Sequence, residues 1–402
     1  MAGAECAGVA GFSPISKICR AFKIDVLIEG VFGLSIEFGT VSDFGIDSKD
    51  VQDFYRSNWN RPIALFDNDF YNWQFKSPPA HNNHDASVIA FDIEKKLILG
   101  VMGVTKRPMV LNGESIIGGE LTTWMIAEKL QGTGVGTKIV QYCQSQYDAL
   151  SGFGISGPAL RVYMRQGFRF IKQIPRFVKV INFAPLKKYA KYDSLAQDLI
   201  DRWATKLTSK FTVGDANEIS VGFANDTLKH AFNHFSRDFD HLRWRYQNHP
   251  YFQHKQFMIS SSPQNDHAPV FVCLREELSV ADFKILHVLD CFGADENIPA
   301  AVNFIEDYAV EHNFDVIDFY CTAASINCHY INSGWFSTSD DICFQFPNLF
   351  HPIEMRDPPT SNFVYWSKTN FDKMANLSNL YITKQDSDCD RPTPENMVKN
   401  RS

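Results

Sequence analysis

Residues 131–136, Gln131-Gly132-Thr133-Gly134-Val135-Gly136, form a glycine loop that runs straight into a helix-like stretch at 137–147. Glycine lets a backbone turn tightly and approach a ligand with no Cβ in the way. The first turn of the next helix carries unpaired N–H groups and a partial positive charge, a setting that suits a phosphate. Ile139, Val140 and Cys143 give that helix an apolar side, which pins it to a core. The segment reads as an anion cradle. Two familiar phosphate loops fail against it. A Walker loop needs a Gly-Lys pair starting five residues after its first glycine, and Thr137 stands five after Gly132. A dinucleotide fingerprint needs a third glycine three residues after Gly-x-Gly, where this chain has Thr137 or Ile139. What remains is Q-x-x-G-x-G.

The next stretch narrows the reading. A plausible strand at 149–155 is followed by Ser156, Ala159, Val162, Tyr163, Gly167 and Phe168. Upstream, Ile98-Leu99-Gly100-Val101 and residues 119–126 read as two strands leading into the loop. In content, order and spacing, residues 35–180 resemble acyl-CoA-dependent N-acyltransferases of the GNAT superfamily. In that family a Q-x-x-G-x-G loop holds the coenzyme pyrophosphate. A strand and a short helix ending Tyr-x-x-x-Gly-Phe follow it. The resemblance implies coenzyme A as carrier of the acyl group, with Ile126, Gln131, Gly132, Thr133, Gly134, Val135, Gly136, Thr137, Ser156 and Ala159 around it. Ser156 replaces the family's usual Asn, which puts one coenzyme contact in doubt. The resemblance also implies direct attack of an amine on the thioester. Tyr163 is then the candidate acid for the departing thiolate, and its alternative is a core tyrosine. Glu120 is the candidate base, and its alternative is a strand-end carboxylate facing water.

A chain of 402 residues is too long for one such domain and suits two. Hydrophobic residues make up 45% and charged ones 21%, which fits a soluble protein with real cores. No apolar run reaches membrane-spanning length, so no membrane insertion is expected. No basic residue precedes Lys17 and no compact apolar core follows, a poor secretory signal. Nine scattered cysteines without C-x-x-C spacing suit free thiols in a reducing cytoplasm, so the expected location is cytoplasmic. A formal charge of −7 without a long basic stripe weighs against nucleic acid. His81, His84 and Asp85 form a polar loop that suits solvent better than a metal or an acceptor, and no metal is expected.

The second half reads as a worn copy of the first. The run 69–75 finds an echo at 240–246, with Trp73 matching Trp244 at an offset of 171. Tyr163-x-x-x-Gly167-Phe168 finds another in Tyr330-x-x-x-Gly334-Trp335, where 330 less 163 is 167. Two landmarks at nearly one offset point to internal duplication. The loop matching the cradle, Phe292-Gly293-Ala294-Asp295-Glu296-Asn297, has one glycine and two carboxylates. Like charges repel there, so only the first half should bind the coenzyme. The expected fold class is α/β (α+β): two tandem GNAT-like domains, each a twisted mixed sheet flanked by helices. The expected boundaries are an N-terminal extension at 1–34, an acyl-CoA-binding domain at 35–185, a connecting helix at 186–212, a degenerate domain at 213–375 and a tail at 376–402. Ser194 starts the connecting helix with a capping box. Its apolar face is Leu195, Leu199, Ile200, Trp203 and Leu207. The tail mimics a calcium loop but lacks its glycine and its final glutamate, so it reads as solvated.

The tandem layout, the aromatic cluster Phe70, Tyr71 and Trp73, and the tail pattern Asp-x-Asp-x-Asp-Arg-Pro extend the resemblance over roughly residues 35–392. They are similar to bacterial nucleotide-sugar N-acyltransferases. These acylate amino sugars carried on dTDP or UDP, for surface polysaccharide. Acyl-CoA and a nucleotide-linked amino sugar are then the expected partners. A tandem aminoacyltransferase of the peptidoglycan type is the rival with the same fold, and a non-catalytic ligand-binding module is the rival from another class.

Overall fold

The computed structural model describes residues 35–203, 210–216, 223–228, 231–262, 268–279, 282–338, 344–346, 349–350, 353–354, 361–369, 376–387, 391–393 and 397. The expected extension at 1–34 lies outside the described residues.

Two seven-stranded mixed sheets dominate. In spatial order the first is Ile36–Thr40, Val88–Asp92, Leu97–Lys106, Gly118–Ile126, Ala149–Phe153, Phe363–Ser367 and Arg169–Ile171. The second is Thr212–Asp215, His254–Ser260, Val270–Leu278, Lys284–Phe292, Val316–Tyr320, Arg176–Val180 and Phe336–Ser337. Each contains one parallel pair, Gly118–Ile126 with Ala149–Phe153 and Lys284–Phe292 with Val316–Tyr320. A parallel pair needs a crossover, and a helix supplies it in each case: Val135–Gln146 and Ile298–Glu311. In the first, Val135, Ile139, Val140 and Cys143 are buried against the sheet, the side the sequence periodicity indicates.

The halves trade strands. Arg176–Val180, from the first half of the chain, pairs between Val316–Tyr320 and Phe336–Ser337 of the second sheet. Phe363–Ser367, from the second half, pairs between Ala149–Phe153 and Arg169–Ile171 of the first. Both strands thus pair across the boundary expected at 185. Strand-forming residues carry no label for which sheet they join, so local pattern cannot show an exchange.

Landmarks inside the halves match. Asp67 caps Asn68–Phe75 by accepting from Phe70 N at 3.0 Å, and Asp238 caps Phe239–Leu242 by accepting from His241 N at 2.8 Å. The helices Gly157–Arg165 and Ala324–Asn332 both end in a left-handed glycine, Gly167 (φ +83°) and Gly334 (φ +78°). Phe168 N donates to Tyr163 O and Trp335 N to Tyr330 O, each at 3.1 Å, closing the same turn.

Two readings need correction. The connecting helix is Ser194–Trp203, and its first turn is bonded by Asp193, whose Oδ1 accepts from Ala196 N at 3.0 Å, rather than by Ser194. Leu199 and Ile200 pack on the core there, whereas Leu195 is exposed; Leu207 lies outside the described residues. The tail is not solvated at its start. Lys384–Asp386 forms a buried turn, and Asp386, 0% exposed, pairs with Arg107 at 2.8 Å and Arg237 at 2.6 Å. The two arginines come from different halves, so the carboxylate ties them together.

Candidate functional site

The strand Gly118–Ile126 carries a bulge. Met102 pairs with Trp124 and Gly103 with Thr122, leaving Thr123 as the extra residue at φ +33°. On its other side, the strand pairs with Ala149–Phe153 only from Gly118 to Leu121, and beyond that the pairing ends. Among the described residues no strand joins 122–126 on that side, so the two parallel strands diverge there. The second half has the same bulge at Leu289.

The glycine loop sits at the end of this stretch. Gln131 Nε2 donates to Ile126 O at 3.2 Å and ties loop to strand. Gly132 (φ +81°) and Gly134 (φ +97°) take left-handed conformations, exposed to solvent, and a Cβ on either would meet nothing within 4 Å. Gly134 is the cap residue of Val135–Gln146, no side chain caps that helix, and its first turn holds no carboxylate. The open N–H groups of 135–137 therefore point where the two glycines have cleared space. Gly136 is needed for another reason: a Cβ there would stand 2.7 Å from Trp124 Cζ2. Thr133 and Thr137 are half-buried beside it. Ser156 is exposed at the start of Gly157–Arg165 and makes no side-chain cap, and Ala159 packs toward the core under it.

The matching loop of the second half is closed. A Cβ on Gly293 would stand 2.4 Å from Pro269 O. Asn297, fully buried, fills the turn, accepting from Ser261 N and donating to Ala268 O, each at 3.0 Å. Pro299 removes one first-turn N–H, and Asp295 pairs with His329 at 3.1 Å.

Tyr163 is buried under the bulge. Its hydroxyl donates to Met102 Sδ at 3.7 Å, and its ring packs on Trp124 and Phe168, with centroids 5.4 and 4.8 Å away. Glu120 lies on the other face of the sheet. Its neighbour Leu121 packs in the cluster that holds Tyr163, and successive strand residues alternate sides. It is buried, with Arg107 Nη1 3.8 Å from Oε2, so it is not a carboxylate facing water. The structure brings the cradle, the bulge and Tyr163 together and places Glu120 across the sheet from them.

Three features near the bulge escaped the sequence reading. Trp124 bridges the cradle and Tyr163. Tyr55 OH donates to Thr123 O at 2.9 Å. Arg391, from the tail, donates to Thr122 Oγ1 at 2.6 Å and Thr123 Oγ1 at 2.5 Å. Only the Thr122-Thr123-Trp124 break in alternation hints at the first of these.

In the loop at 81–85, His81 and Asp85 are buried, whereas residues 82–84, His84 among them, are exposed to solvent. His81 Nδ1 lies 2.8 Å from Phe75 O, and its Nε2 accepts from Lys106 N at 2.6 Å. Asp85, also buried, accepts from Tyr71 OH at 2.6 Å. Among the described residues no group of three or more His, Cys, Asp or Glu is placed to hold a metal, and no helix is long and apolar enough to cross a membrane.

No family model and no curated protein matches the chain in sequence. Solved structures do match in shape. A GCN5-related N-acetyltransferase from Anabaena variabilis is 8% identical, with a TM-score of 0.50 over 82% of this chain and 72% of its own. N-myristoyltransferase of Saccharomyces cerevisiae with bound myristoyl-CoA is 12% identical, with a TM-score of 0.48 over 89% and 88%. A probable N-acyltransferase from Enterococcus faecalis is 12% identical, with a TM-score of 0.46 over 71% and 65%. The first shows the fold: this chain has the mixed α/β architecture of the GCN5-related N-acetyltransferases. The two lower scores show nothing further.

Proposed function

We propose that the chain is an acyl-CoA-dependent N-acyltransferase whose first half binds the donor. The observation that carries this reading is the open loop at Gly132–Gly136, set where the two parallel strands diverge, whereas the matching loop of the second half is closed. Its amides take the pyrophosphate of coenzyme A. The pantetheine arm then runs between the diverging strands, along 122–126, toward the bulge. An amine arriving at the bulge attacks the thioester carbonyl, the carbon–sulfur bond breaks, and Tyr163 gives its proton to the departing thiolate. The amine's proton passes to water, because Glu120 lies on the far face of the sheet beside Arg107. The second half, closed to coenzyme, shapes the acceptor side. For the acceptor we propose a nucleotide-linked amino sugar, on the strength of the sequence resemblance, and a reducing cytoplasm as its place of action.

The test is incubation with a panel of acyl-CoA donors and dTDP- or UDP-linked amino sugars, read as release of free thiol. Thiol release that depends on both substrates supports the reading. Acylation from aminoacyl-tRNA with acyl-CoA inert would favour the peptidoglycan-type alternative, and no turnover with either would favour a binding module.

A further inference from the structure

Among the described residues, Trp124 has a buried donor with nothing to donate to. Its ring is half-buried, but Nε1 is shut off from solvent and finds no acceptor among the described residues. A buried N–H left unmade costs on the order of 1–3 kcal/mol, so a native protein keeps few of them without a use. The surroundings say what the use is. The Cζ2 edge of the indole, the side that also carries Nε1, lies against the first turn of the cradle helix, 2.7 Å from where a Cβ on Gly136 would stand. The ring packs on Tyr163, with centroids 5.4 Å apart. Trp124 therefore spans the interval between the pyrophosphate cradle and the candidate acid, on the residue that follows the bulge.

We propose that the Trp124 indole N–H is the positioning donor for the pantetheine arm, bonding one of its amide carbonyls as the arm passes from cradle to bulge. This rests on the coenzyme reading of the cradle. The chemistry fits: an indole N–H donates and cannot accept, an amide carbonyl accepts strongly, and the flat ring offers apolar surface to the arm's methylene groups. Because Nε1 is covered in the empty protein, the half-exposed indole must tip as the arm enters. Gly136 serves both partners, its missing side chain making room for the ring and its amide facing the pyrophosphate.

Trp124→Phe keeps a ring and removes the donor. Calorimetric titrations with ADP, CoA and acetyl-CoA separate the possible bonds, since ADP carries the pyrophosphate without the arm. The expected result is about tenfold weaker binding of CoA and acetyl-CoA alike, ADP affinity unchanged, and urea unfolding of the empty protein at or near the wild-type midpoint, because the lost N–H had no partner there. Weakened ADP binding would move the bond to the pyrophosphate, and a loss confined to acetyl-CoA would move it to the thioester; either overturns the proposal, as does unchanged CoA affinity. If the variant does not fold, ¹⁵N-tryptophan spectra of the wild type decide: an indole N–H resonance must shift downfield with CoA and not with ADP, and no such shift refutes the proposal. A wild type that binds no CoA at all would instead remove the cradle reading beneath it.

Discussion

Trp73 and Trp244 each donate an indole N–H to the other's backbone carbonyl, at 3.0 and 2.9 Å, and their rings stack with centroids 5.1 Å apart. The two residues stand at matching places in the two halves, six positions after the capping aspartates Asp67 and Asp238. A reciprocal bond between equivalent residues places them on a local twofold relation between the halves, and it joins those halves directly. Each Trp→Phe substitution leaves one buried carbonyl without its donor and should cost about 1–3 kcal/mol. The double variant should cost measurably less than the two added together, because the contacts are shared. Urea unfolding of the four proteins tests this, and strict additivity would mean that the two bonds form independently.

Asp386 should matter far more than a tail residue. Burial pushes its carboxyl up, but the charges of Arg237 and Arg107 outweigh that and hold it below the usual carboxylate range. Asp386→Asn keeps the shape and removes the charge that both buried guanidinium groups face. Breaking a buried pair in this way costs about 3–5 kcal/mol. Thermal or urea unfolding should show a loss of that size, whereas a solvated tail would give a change within about 0.5 kcal/mol.

Mild acid should destabilise the fold through its buried histidines. Burial lowers His81 and His234 to about 4, and it holds His241 well below the usual histidine value, with Arg107 adding to the effect. In the unfolded chain these side chains take up protons near 6.5. Their folded values are lower, so between roughly pH 6.5 and 4 the unfolded state binds more protons and stability falls as pH falls. His81 and His234 each contribute a loss on the order of 3 kcal/mol across that window. Unfolding free energy measured from pH 7.5 to 5 should decline steeply, and a flat profile would mean that these rings are protonated in the fold.

Tyr163→Phe removes the hydroxyl and keeps the ring's packing on Trp124 and Phe168. If Tyr163 is the acid, turnover should fall by ~10²–10⁴-fold with coenzyme affinity nearly unchanged. Wild-type turnover in the variant would make Tyr163 a core tyrosine and leave the proton to water.

What the sequence disclosed follows from where its signals are local. The geometry of the glycine loop was legible because Gly132, Gly134 and Gly136 each answer a steric or backbone need at their own position. The duplication was legible because Trp73 and Trp244, and Tyr163 and Tyr330, are large residues held in fixed local frames. The exchange of Arg176–Val180 and Phe363–Ser367 was not, since a strand reads the same whichever sheet it joins. Asp386 looked like a solvent-facing acid because its partners, Arg107 and Arg237, lie far away along the chain. Glu120 read as a candidate base on strand position alone, and Arg107 beside it could be seen only in three dimensions.

The central claim is that one half carries the coenzyme, and a structure determined with CoA bound tests it most directly. The pyrophosphate should lie on the backbone amides of 132–137, one coenzyme per chain, with nothing at Gly293–Asn297, and Gly134→Val should abolish the occupancy. Coenzyme seated on the second loop, or at a place that leaves the amides of 132–137 untouched, would contradict it.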